Sequence, residues 1–529
     1  MRNDPDPSPS ETVDRRGAMK RVGGFAITAS ALAASPVVAG PSAAPDIVMM
    51  DAGALVAALR KREISCVEVM SAHLDHIERV NPQHNAIVAL QDREALIDAA
   101  RAKDAQATRG GALGPLHGLP MAPKDLQPVK GIRSTSGSPI LKDFVPGEDS
   151  LVVARMRKAG AIFIGKTNTP EFGLGSHTYN SVYGATRNAY DPSRSAGGSS
   201  GGAAVALALR MLPVADGSDY GGSLRNPAGW NNVYGFRTTF GVVPVAGDDV
   251  WNPTMGVAGP MARNIPDLVR LLSAQAGFSP RAPFSVATGP EAFLEPLKMD
   301  PKGTRLAWLG DLDGFAPYEP GVLEVCVRAL KDFEALGCTV SPARVDFPLQ
   351  TVWDAFIRLR AWQQGGAIAK YSRDPMTRGL LKPEAIWEIE TGARLSAFDI
   401  SAASAVRTAW FNAFSRLFDH YDYVLLPTAQ VFAFDVETHW PRDIAGQTMA
   451  TYHEWMKAVC LITMTGCPSL AVPAGFSPHG QAMGLQIVAP IHRDLDCLKL
   501  AFAYDEATRW PGRAPPGRPD GRETYFPSA

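Results

Sequence analysis

Two clusters of serine and glycine in one stretch of the sequence are the first candidates for chemistry. They occupy residues 197–202 and 217–223, within the segment Ser195–Pro227, and the apolar run Ala203–Leu212 separates them. This run predicts one buried helix that holds the two clusters at a fixed distance. Glycine lets the backbone bring its N–H groups close to a ligand, so serines among glycines can be exposed and surrounded by donors. The pattern is typical of nucleophilic hydroxyl groups.

The residues before each cluster indicate which serine is the better nucleophile. Gly197–Gly201 matches the GxSxG nucleophile elbow, in which a buried strand runs directly into the serine. Residues 190–196, which precede it, are too polar for a core strand, whereas residues 211–215 predict an apolar strand that leads to the second cluster. We therefore favour Ser223 as the nucleophile, with Ser199 as its neighbour.

A serine nucleophile needs a base, and the sequence offers a lysine and a histidine. His420, the nearest histidine downstream of Ser223, has no supporting aspartate signal beside it. Lys124 ends an apolar segment, where burial would lower its pKa toward the range in which an amine acts as a base. From position alone, a lysine whose stem packs while its head reaches water stays open as the alternative. An esterase of the α/β-hydrolase type would depend on a histidine instead.

Residues 160–167 match the phosphate-binding expression GxxxxGK[ST] letter for letter. A phosphate-binding loop needs a flexible turn between its glycines and a helix after the lysine. Here a β-branched and aromatic segment lies between the glycines, and Asn168-Thr169-Pro170 follows. We expect a buried strand at this position and no phosphate site.

The rest of the chain predicts the scaffold that positions these residues. Helical patterns dominate residues 265–418, and a capping box at Ser65–Glu68 begins a helix that we expect to end at Asn81-Pro82. Buried strands are expected at residues 305–309, 423–428, 469–473 and 484–488. This alternation of strands and helices predicts an α/β fold with a central sheet covered on both faces.

Composition excludes several classes of function. The 529 residues are 46% hydrophobic and 20% charged, and their formal net charge of −1 gives no long-range field for nucleic acid or anionic lipid. We therefore expect no nucleic-acid partner. The six cysteines show no spacing typical of a metal site, so we expect buried thiols, with a Cys460–Cys467 disulfide left open.

Residues 1–45 are expected to form a signal peptide and disordered segment. A polar, proline-rich start leads to Arg15-Arg16 and then to a modestly apolar run, Val22–Ala34, that is too short to span a bilayer. The arginine pair predicts export by the twin-arginine route, to the periplasm or beyond. An amphipathic first helix stays open as the alternative. The folded domain is then expected over residues 46–525, with no stable membrane association.

Several blocks of the sequence resemble the motifs of the amidase signature family. They are GPLHGLPMAPKD, GKTNTPEFG, GATRN, GGSSGG, GSDYGGSLRNPA and VYGFRTTFGVVP, followed by LLPT and GCPSLAVPAGFSPHGQAMGLQIVAP. The resemblance spans residues from about 46 to 510, and the paired GGSSGG and DxGGSxR blocks are its most specific part. It implies one large α/β domain with a mixed, twisted central sheet surrounded by helices, and it implies no cofactor or metal.

The resemblance also implies roles for single residues. Ser223 would be the nucleophile and Lys124 the buried base, and Ser199 would bridge them after a cis peptide bond. The backbone N–H groups of the oxyanion hole would come from Tyr220, Gly221, Gly222 and Ser223. Positions that match supporting residues of the family are Ser200, Asp219, Arg225, Lys166 and Asn168.

The implied activity is hydrolysis of a small-molecule or peptide carboxamide, through a seryl acyl-enzyme, to a carboxylic acid plus ammonia or an amine. Peptide-amide, aryl-amide and cyclic-amide substrates all stay open. Pro123 and Tyr220 depart from the residues usual in the family, and the tyrosine ring is expected to narrow or line the pocket. Alternatives left open are a catalytically silent binding protein on the same fold and a glutamine-hydrolysing component of an amidotransferase. The sequence does not decide between a monomer and a homodimer.

Overall fold

The computed structural model describes residues 46–513, apart from positions 248, 253 and 288. The expected signal peptide and the last residues of the expected domain, 514–525, lie outside the described residues. Within the described part of the chain, no helix is long and apolar enough to cross a membrane.

Eight of the described strands form one central sheet. The strands of the chain are β1 Ile87–Val88, β2 Pro120–Met121, β3 Ile162–Phe163, β4 Lys166–Thr167, β5 Ala215–Asp219, β6 Tyr234–Arg237, β7 Val257–Ala262, β8 Arg305–Trp308, β9 Thr339–Pro342, β10 Tyr423–Pro427, β11 Asp443–Ile444, β12 Gln447–Thr448, β13 Ser469–Phe476 and β14 Ala482–Val488. In the central sheet their order is β5-β7-β6-β13-β14-β10-β8-β9. Strand β10 pairs parallel with β8, and β8 parallel with β9, while the other pairs are antiparallel.

The middle of this sheet is covered on both faces. Every residue of β13, β14 and β10 is buried. Because successive side chains of a strand point to opposite faces, this pattern requires packing on each side. The mixed sheet within an α/β fold is therefore confirmed.

Helices make up most of the remaining fold. They are α1 Ala52–Lys61, α2 Cys66–His84, α3 Arg93–Thr108, α4 Leu151–Lys158, α5 Gly201–Ala208, α6 Arg225–Trp230, α7 Ile265–Gln275, α8 Val322–Ala335, α9 Leu349–Arg360, α10 Gly366–Ile368, α11 Pro375–Arg378, α12 Pro383–Ala393, α13 Ala397–Ser415, α14 Lys457–Thr465 and α15 Asp494–Thr508. A π-helical turn, Ala361–Gly365, joins α9 to α10. Helices α6, α8 and α15 all pack on β13.

Four elements differ from the sequence expectations. Helix α5 spans Gly201–Ala208 instead of 203–212, since Arg210 has a positive φ of 57° that ends the helical run. The strand expected at 211–215 is wrong apart from Ala215, because β5 spans Ala215–Asp219.

Helix α2 begins at the predicted capping box but continues through Pro82 to His84, where Asn85 ends it in a left-handed conformation. A proline near the end of a helix removes only one late hydrogen bond, so it need not stop the helix there. Strand β9 is an edge strand with exposed ends and a half-buried middle, and its residues were not predicted as a strand among the helical patterns.

Candidate active site

Ser199 and Ser223 lie on two loops that one short helix connects. Every residue of α5 is buried, and β5 then returns the chain to the second cluster. The loops also touch directly, because the N–H of Ser200 donates to the carbonyl of Ser223 at 3.2 Å. A side chain at Gly217 would lie 2.7 Å from the Ser200 hydroxyl, so only glycine lets the strand approach this closely. The glycines thus bring the two serine loops together.

The first loop carries the serine expected to bridge nucleophile and base. The Gly198–Ser199 peptide bond is cis. No strand precedes this loop, which agrees with the rejection of a GxSxG elbow, whereas β5 does lead to the second cluster. Ser199 and Ser223 are both buried and both line one cavity.

Lys124 approaches the first serine loop from the end of β2. It follows β2, which pairs parallel with β3, and it forms a bridge of its own with Thr167. Its side chain is 0% exposed. The Nζ atom lies 2.7 Å from the hydroxyl of Ser199 and 2.9 Å from that of Ser200. Hence the alternative of a lysine head that reaches water is wrong.

The surroundings of Lys124 favour its neutral form. Burial lowers the pKa of the ammonium from 10.5 to about 7, although the carboxylates of Asp216 and Asp219 partly oppose this effect. Asp216 also accepts the backbone N–H of Lys124 at 3.2 Å. Burial raises the pKa of the Asp216 carboxyl to about 6, against the attraction of Lys166. A lysine in this state can accept a proton near neutral pH.

Asp219 fixes the loop that carries Ser223. Its carboxylate binds Arg225 through two hydrogen bonds of 2.9 and 3.0 Å, and Arg237 donates to its carbonyl at 2.8 Å. All three side chains are buried. Burial raises the pKa of Asp219, but the two guanidinium groups outweigh burial and hold that pKa below its usual range. The supporting positions Asp219 and Arg225, expected from the sequence, therefore belong to one network.

One member of the expected oxyanion set is engaged elsewhere. The N–H of Gly222 donates to the Asp219 carboxylate at 2.9 Å, because the carboxylate turns back over the loop. The N–H groups of Tyr220, Gly221 and Ser223 have no acceptor among the described residues. Those three donors are free beside the Ser223 hydroxyl, and Gly222 is not.

The cavity in front of the serines has a volume of about 260 Å³. Apolar side chains form much of its wall: Leu126, Phe240, Val243, Pro244, Val245 and Phe284. Tyr220 also lines it, as expected, and its hydroxyl donates to Gln363 at 2.8 Å. The cavity thus offers an apolar space next to two buried hydroxyl groups.

Comparison with known proteins identifies the family of the chain. The model of the amidase family matches residues 68–498. The chain belongs to the amidase family. An acylamidase of Rhodococcus erythropolis is 33% identical to this amidase, with 88% of this chain and 97% of the relative covered.

The amidase is also similar to a component of an amidotransferase and to an aryl acylamidase of known structure. A component of the glutamyl-tRNA(Gln) amidotransferase from Thermus thermophilus is 34% identical, with 85% of this chain and 96% of the relative covered. Among solved structures, a bacterial aryl acylamidase of the amidase signature enzymes has a TM-score of 0.81 at 28% identity. That alignment covers 87% of this chain and 96% of the other.

Lys166 and Asn168 hold the amidase scaffold, as the sequence indicated. The Lys166 ammonium donates to the Gln127 carbonyl and to Ser134 at 3.2 Å, and lies 3.9 Å from Asp125. Strands β3 and β4 occupy the segment that matches the phosphate-binding expression. The side-chain amide of Asn168 donates to Thr186 at 3.0 Å.

The sequence reading missed a buried cluster of the amidase around Arg360. Arg360 ends α9, lines the cavity and donates from Nε to Glu388 at 2.8 Å. Tyr452 and His453 bind the same Glu388 oxygen. These residues come from distant parts of the chain and form no local motif. Arg360 and Glu388 lie in a long run of helix-forming residues, where the Gln363-Gln364 pair was a weak local signal of a polar site.

All six cysteines of the amidase are buried free thiols. The Cys460–Cys467 disulfide that the sequence left open is not formed. Among the described residues, no cluster of side chains is suited to hold a metal ion.

Proposed function

We propose that this amidase hydrolyses a carboxamide through an acyl ester on Ser223, with Lys124 as the base and Ser199 as the proton relay. The observation that carries the proposal is the contact of 2.7 Å between a fully buried Lys124 amine and the Ser199 hydroxyl. A neutral amine in this position accepts the Ser199 proton while Ser199 takes the proton of Ser223. The Ser223 oxygen then attacks the amide carbon.

The negative charge that develops on the substrate oxygen needs donors. The free N–H groups of Tyr220, Gly221 and Ser223 lie on the loop of the nucleophile, and one good donor contributes about 3 kcal/mol of transition-state stabilisation. Gly222 keeps the loop in shape through Asp219. Its role in this mechanism is therefore support of the loop, with the other three N–H groups as the oxyanion hole.

The same relay supports the departure of nitrogen. An amide anion is a poor leaving group, so the proton held by Lys124 returns through Ser199 to the substrate nitrogen, and the amine or ammonia leaves as a neutral molecule. Acid assistance of this type contributes roughly 10²–10⁴ in rate. Water then attacks the Ser223 ester, the relay takes one of its protons, and the acid is released.

An apolar acyl or amine portion suits the cavity. Its wall is rich in aliphatic and aromatic side chains, which gain free energy when they exclude water from an apolar ligand. The similarity to an acylamidase supports the same substrate class. Glutamine hydrolysis is the second candidate, favoured by the similarity to a component of an amidotransferase. Glutamine carries two charges on its α-carbon, and outside the network of Asp219 the charged side chains that line the cavity are Arg360 and Asp249.

Covalent labelling tests the assignment. A fluorophosphonate should modify Ser223 in the native enzyme, and peptide mapping locates the adduct. Lys124→Ala should abolish both labelling and turnover of a 4-nitroanilide. Lys166→Ala is the control, because it replaces a buried lysine outside the relay. Any decrease in its labelling or turnover should equal the decrease in the amount of folded protein. Labelling of Ser199, or full turnover by Lys124→Ala, would refute the mechanism. Ammonia release from glutamine, measured in parallel, distinguishes the second candidate.

We also propose that the enzyme is exported by the twin-arginine route. Arg15-Arg16 followed by a short, modestly apolar run supports this location. Fractionation of cells that express the full chain should recover the enzyme outside the cytoplasm. Replacement of both arginines by lysine should keep the enzyme in the cytoplasm. Equal distribution of the two proteins would contradict the proposal.

A further inference from the structure

The π-helical turn after α9 places polar groups in a cavity wall that is rich in apolar side chains. Arg360 ends α9, and the turn Ala361–Gly365 follows it directly. Arg360 and Gln364 line the cavity, while Gln363 binds the hydroxyl of Tyr220. Turns of this kind are rare and occur frequently at functional sites. The mechanism proposed above uses none of these side chains.

Two hydrogen bonds fix the Arg360 guanidinium, and its third nitrogen, Nη1, has no acceptor among the described residues. Its Nε donates to Glu388 at 2.8 Å and its Nη2 donates to Tyr452 at 3.2 Å. Its carbon Cζ lies 5.2 Å from the centre of the Tyr220 ring. No described residue accepts a hydrogen bond from Nη1. The side chain is only 5% exposed, so Nη1 remains for a ligand in the cavity.

Arg360 also approaches the nucleophile. A small side cavity of about 10 Å³ is lined by Arg360, Ser223 and Gly221 together. A donor in the shared wall can therefore reach a substrate whose scissile amide lies at Ser223. Because arginine presents its donors in a fixed plane, a guanidinium held by two other bonds discriminates by the position of the acceptor.

The charges around Arg360 favour an uncharged acceptor. Burial raises the pKa of Glu388, but Arg360 and His453 outweigh burial and lower that pKa to about 2, so Glu388 is ionised and balances the guanidinium. Asp249, an exposed carboxylate, also lines the cavity and has no cationic partner among the described residues. The cavity wall thus presents a guanidinium balanced by Glu388, together with the further negative charge of Asp249.

We infer that Arg360 determines specificity by binding a second, uncharged carbonyl group in the acyl portion of the substrate. The inference rests on the proposed function and adds the substrate class: amides of acids that carry a further ketone or amide carbonyl. One hydrogen bond from a charged donor corresponds to about tenfold to a hundredfold in kcat/KM.

Three matched anilides test this specificity in the wild-type enzyme. Levulinoyl, pentanoyl and succinyl 4-nitroanilides have acyl chains of similar length that carry a ketone, a methylene group and a carboxylate. We expect kcat/KM for the levulinoyl compound to exceed that of each other compound by about tenfold or more. Equal values for the levulinoyl and pentanoyl compounds, or a preference for succinyl, would overturn the inference.

Variants assign the preference to its residue. Arg360→Met should bring the levulinoyl-to-pentanoyl ratio close to one, whereas Arg358→Met, an exposed arginine on the same helix, should leave the ratio unchanged. Because Arg360→Met leaves Glu388 buried without its partner, the double variant Arg360→Met/Glu388→Gln is measured as well, with thermal melting as the check of folding. A ratio that persists in either folded variant would overturn the inference. If neither variant folds, the wild-type ratio decides.

The inference and the proposed function fail in different ways. If Ser223→Ala hydrolyses the anilides at the wild-type rate, or if the wild-type enzyme hydrolyses no amide, the proposed function fails. If Ser223→Ala is inactive and the wild-type enzyme shows no preference among acyl chains, only the role of Arg360 fails.

Discussion

The acid limb of the pH–rate profile provides the sharpest test of the buried lysine. With a pKa of about 7, half of the Lys124 amines are neutral at pH 7, whereas a lysine at 10.5 would be neutral in roughly one molecule in 3000. The neutral fraction rises from about one tenth at pH 6 to about nine tenths at pH 8. If the neutral amine is the base, kcat/KM should rise about tenfold over this range.

Asp216 offers a second explanation of the same limb, and one substitution separates the two. Its carboxyl has a pKa of about 6 and lies against the backbone of Lys124, so its own ionisation could produce a rise in rate. The Asp216 carboxylate stabilises the protonated amine and raises the pKa of Lys124. Asp216→Asn removes this charge and retains a carbonyl oxygen for the backbone N–H. The midpoint of the limb should therefore move to lower pH.

The assay is kcat/KM between pH 5 and pH 9 with a 4-nitroanilide that does not titrate in this range. Asp346→Asn, which removes an exposed carboxylate, is the matched control and should leave the midpoint in place. A limb that disappears in Asp216→Asn would assign the titration to Asp216. A midpoint that moves to higher pH would refute the electrostatic reasoning. A wild-type limb still rising steeply at pH 9 would show that Lys124 is not depressed.

Three further outcomes follow from packing and charge. Asp219→Ala leaves two buried guanidinium groups without their carboxylate, so urea denaturation should show a loss of about 3–5 kcal/mol; a loss below about 1 kcal/mol would contradict the network. Gly222→Ala should lose about 1–3 kcal/mol, because its backbone φ is +104° and a Cβ would lie 2.4 Å from a methyl of Val459. Gly366→Ala, in open space at a helical φ of −60°, should instead gain about 0.5–1 kcal/mol. Ellman titration should find six thiols after denaturation without reductant and far fewer in the native enzyme, and any shortfall after denaturation would indicate a disulfide.

The parts of the site that follow from local sequence were predictable. The glycines around Ser199 and Ser223 and the buried helix between them are contiguous signals. Helix α5 begins two residues before the predicted start at Ala203, and the predicted strand at 211–215 shares only Ala215 with β5. The residues before each cluster rank Ser223 above Ser199, because a polar segment cannot form a core strand, and covalent labelling tests this prediction. The environment of Lys124 was not contained in its own neighbours, and only the resemblance selected it from among the lysines.

The parts that depend on distant contacts were not predictable. Glu388 is 28 residues from Arg360 and 65 from His453, so their ion pair leaves no periodic trace in the chain. The hydrogen bond from the Gly222 N–H to the Asp219 carboxylate depends on the conformation of the Asp219 side chain, which the sequence motif does not specify. The end of α2 depends on two opposing contributions. Pro82 removes one hydrogen bond, whereas the packing of the buried face favours continuation of the helix to His84.

The anchoring of the nucleophile loop has a consequence for how the substrate preference of this enzyme can evolve. Arg225 links the loop to Gln486 on β14 at 2.7 Å and to Thr463 on α14 at 2.9 Å, all within the interior. Much of the cavity wall, by contrast, is lined by residues from 240–247, 249–250 and 282–285, whose Val245 and Phe284 are exposed. Reactivity is therefore inherited with the core, while substrate preference can diverge by exchange of surface segments. Grafting those segments from a relative should transfer selectivity and leave labelling of Ser223 intact.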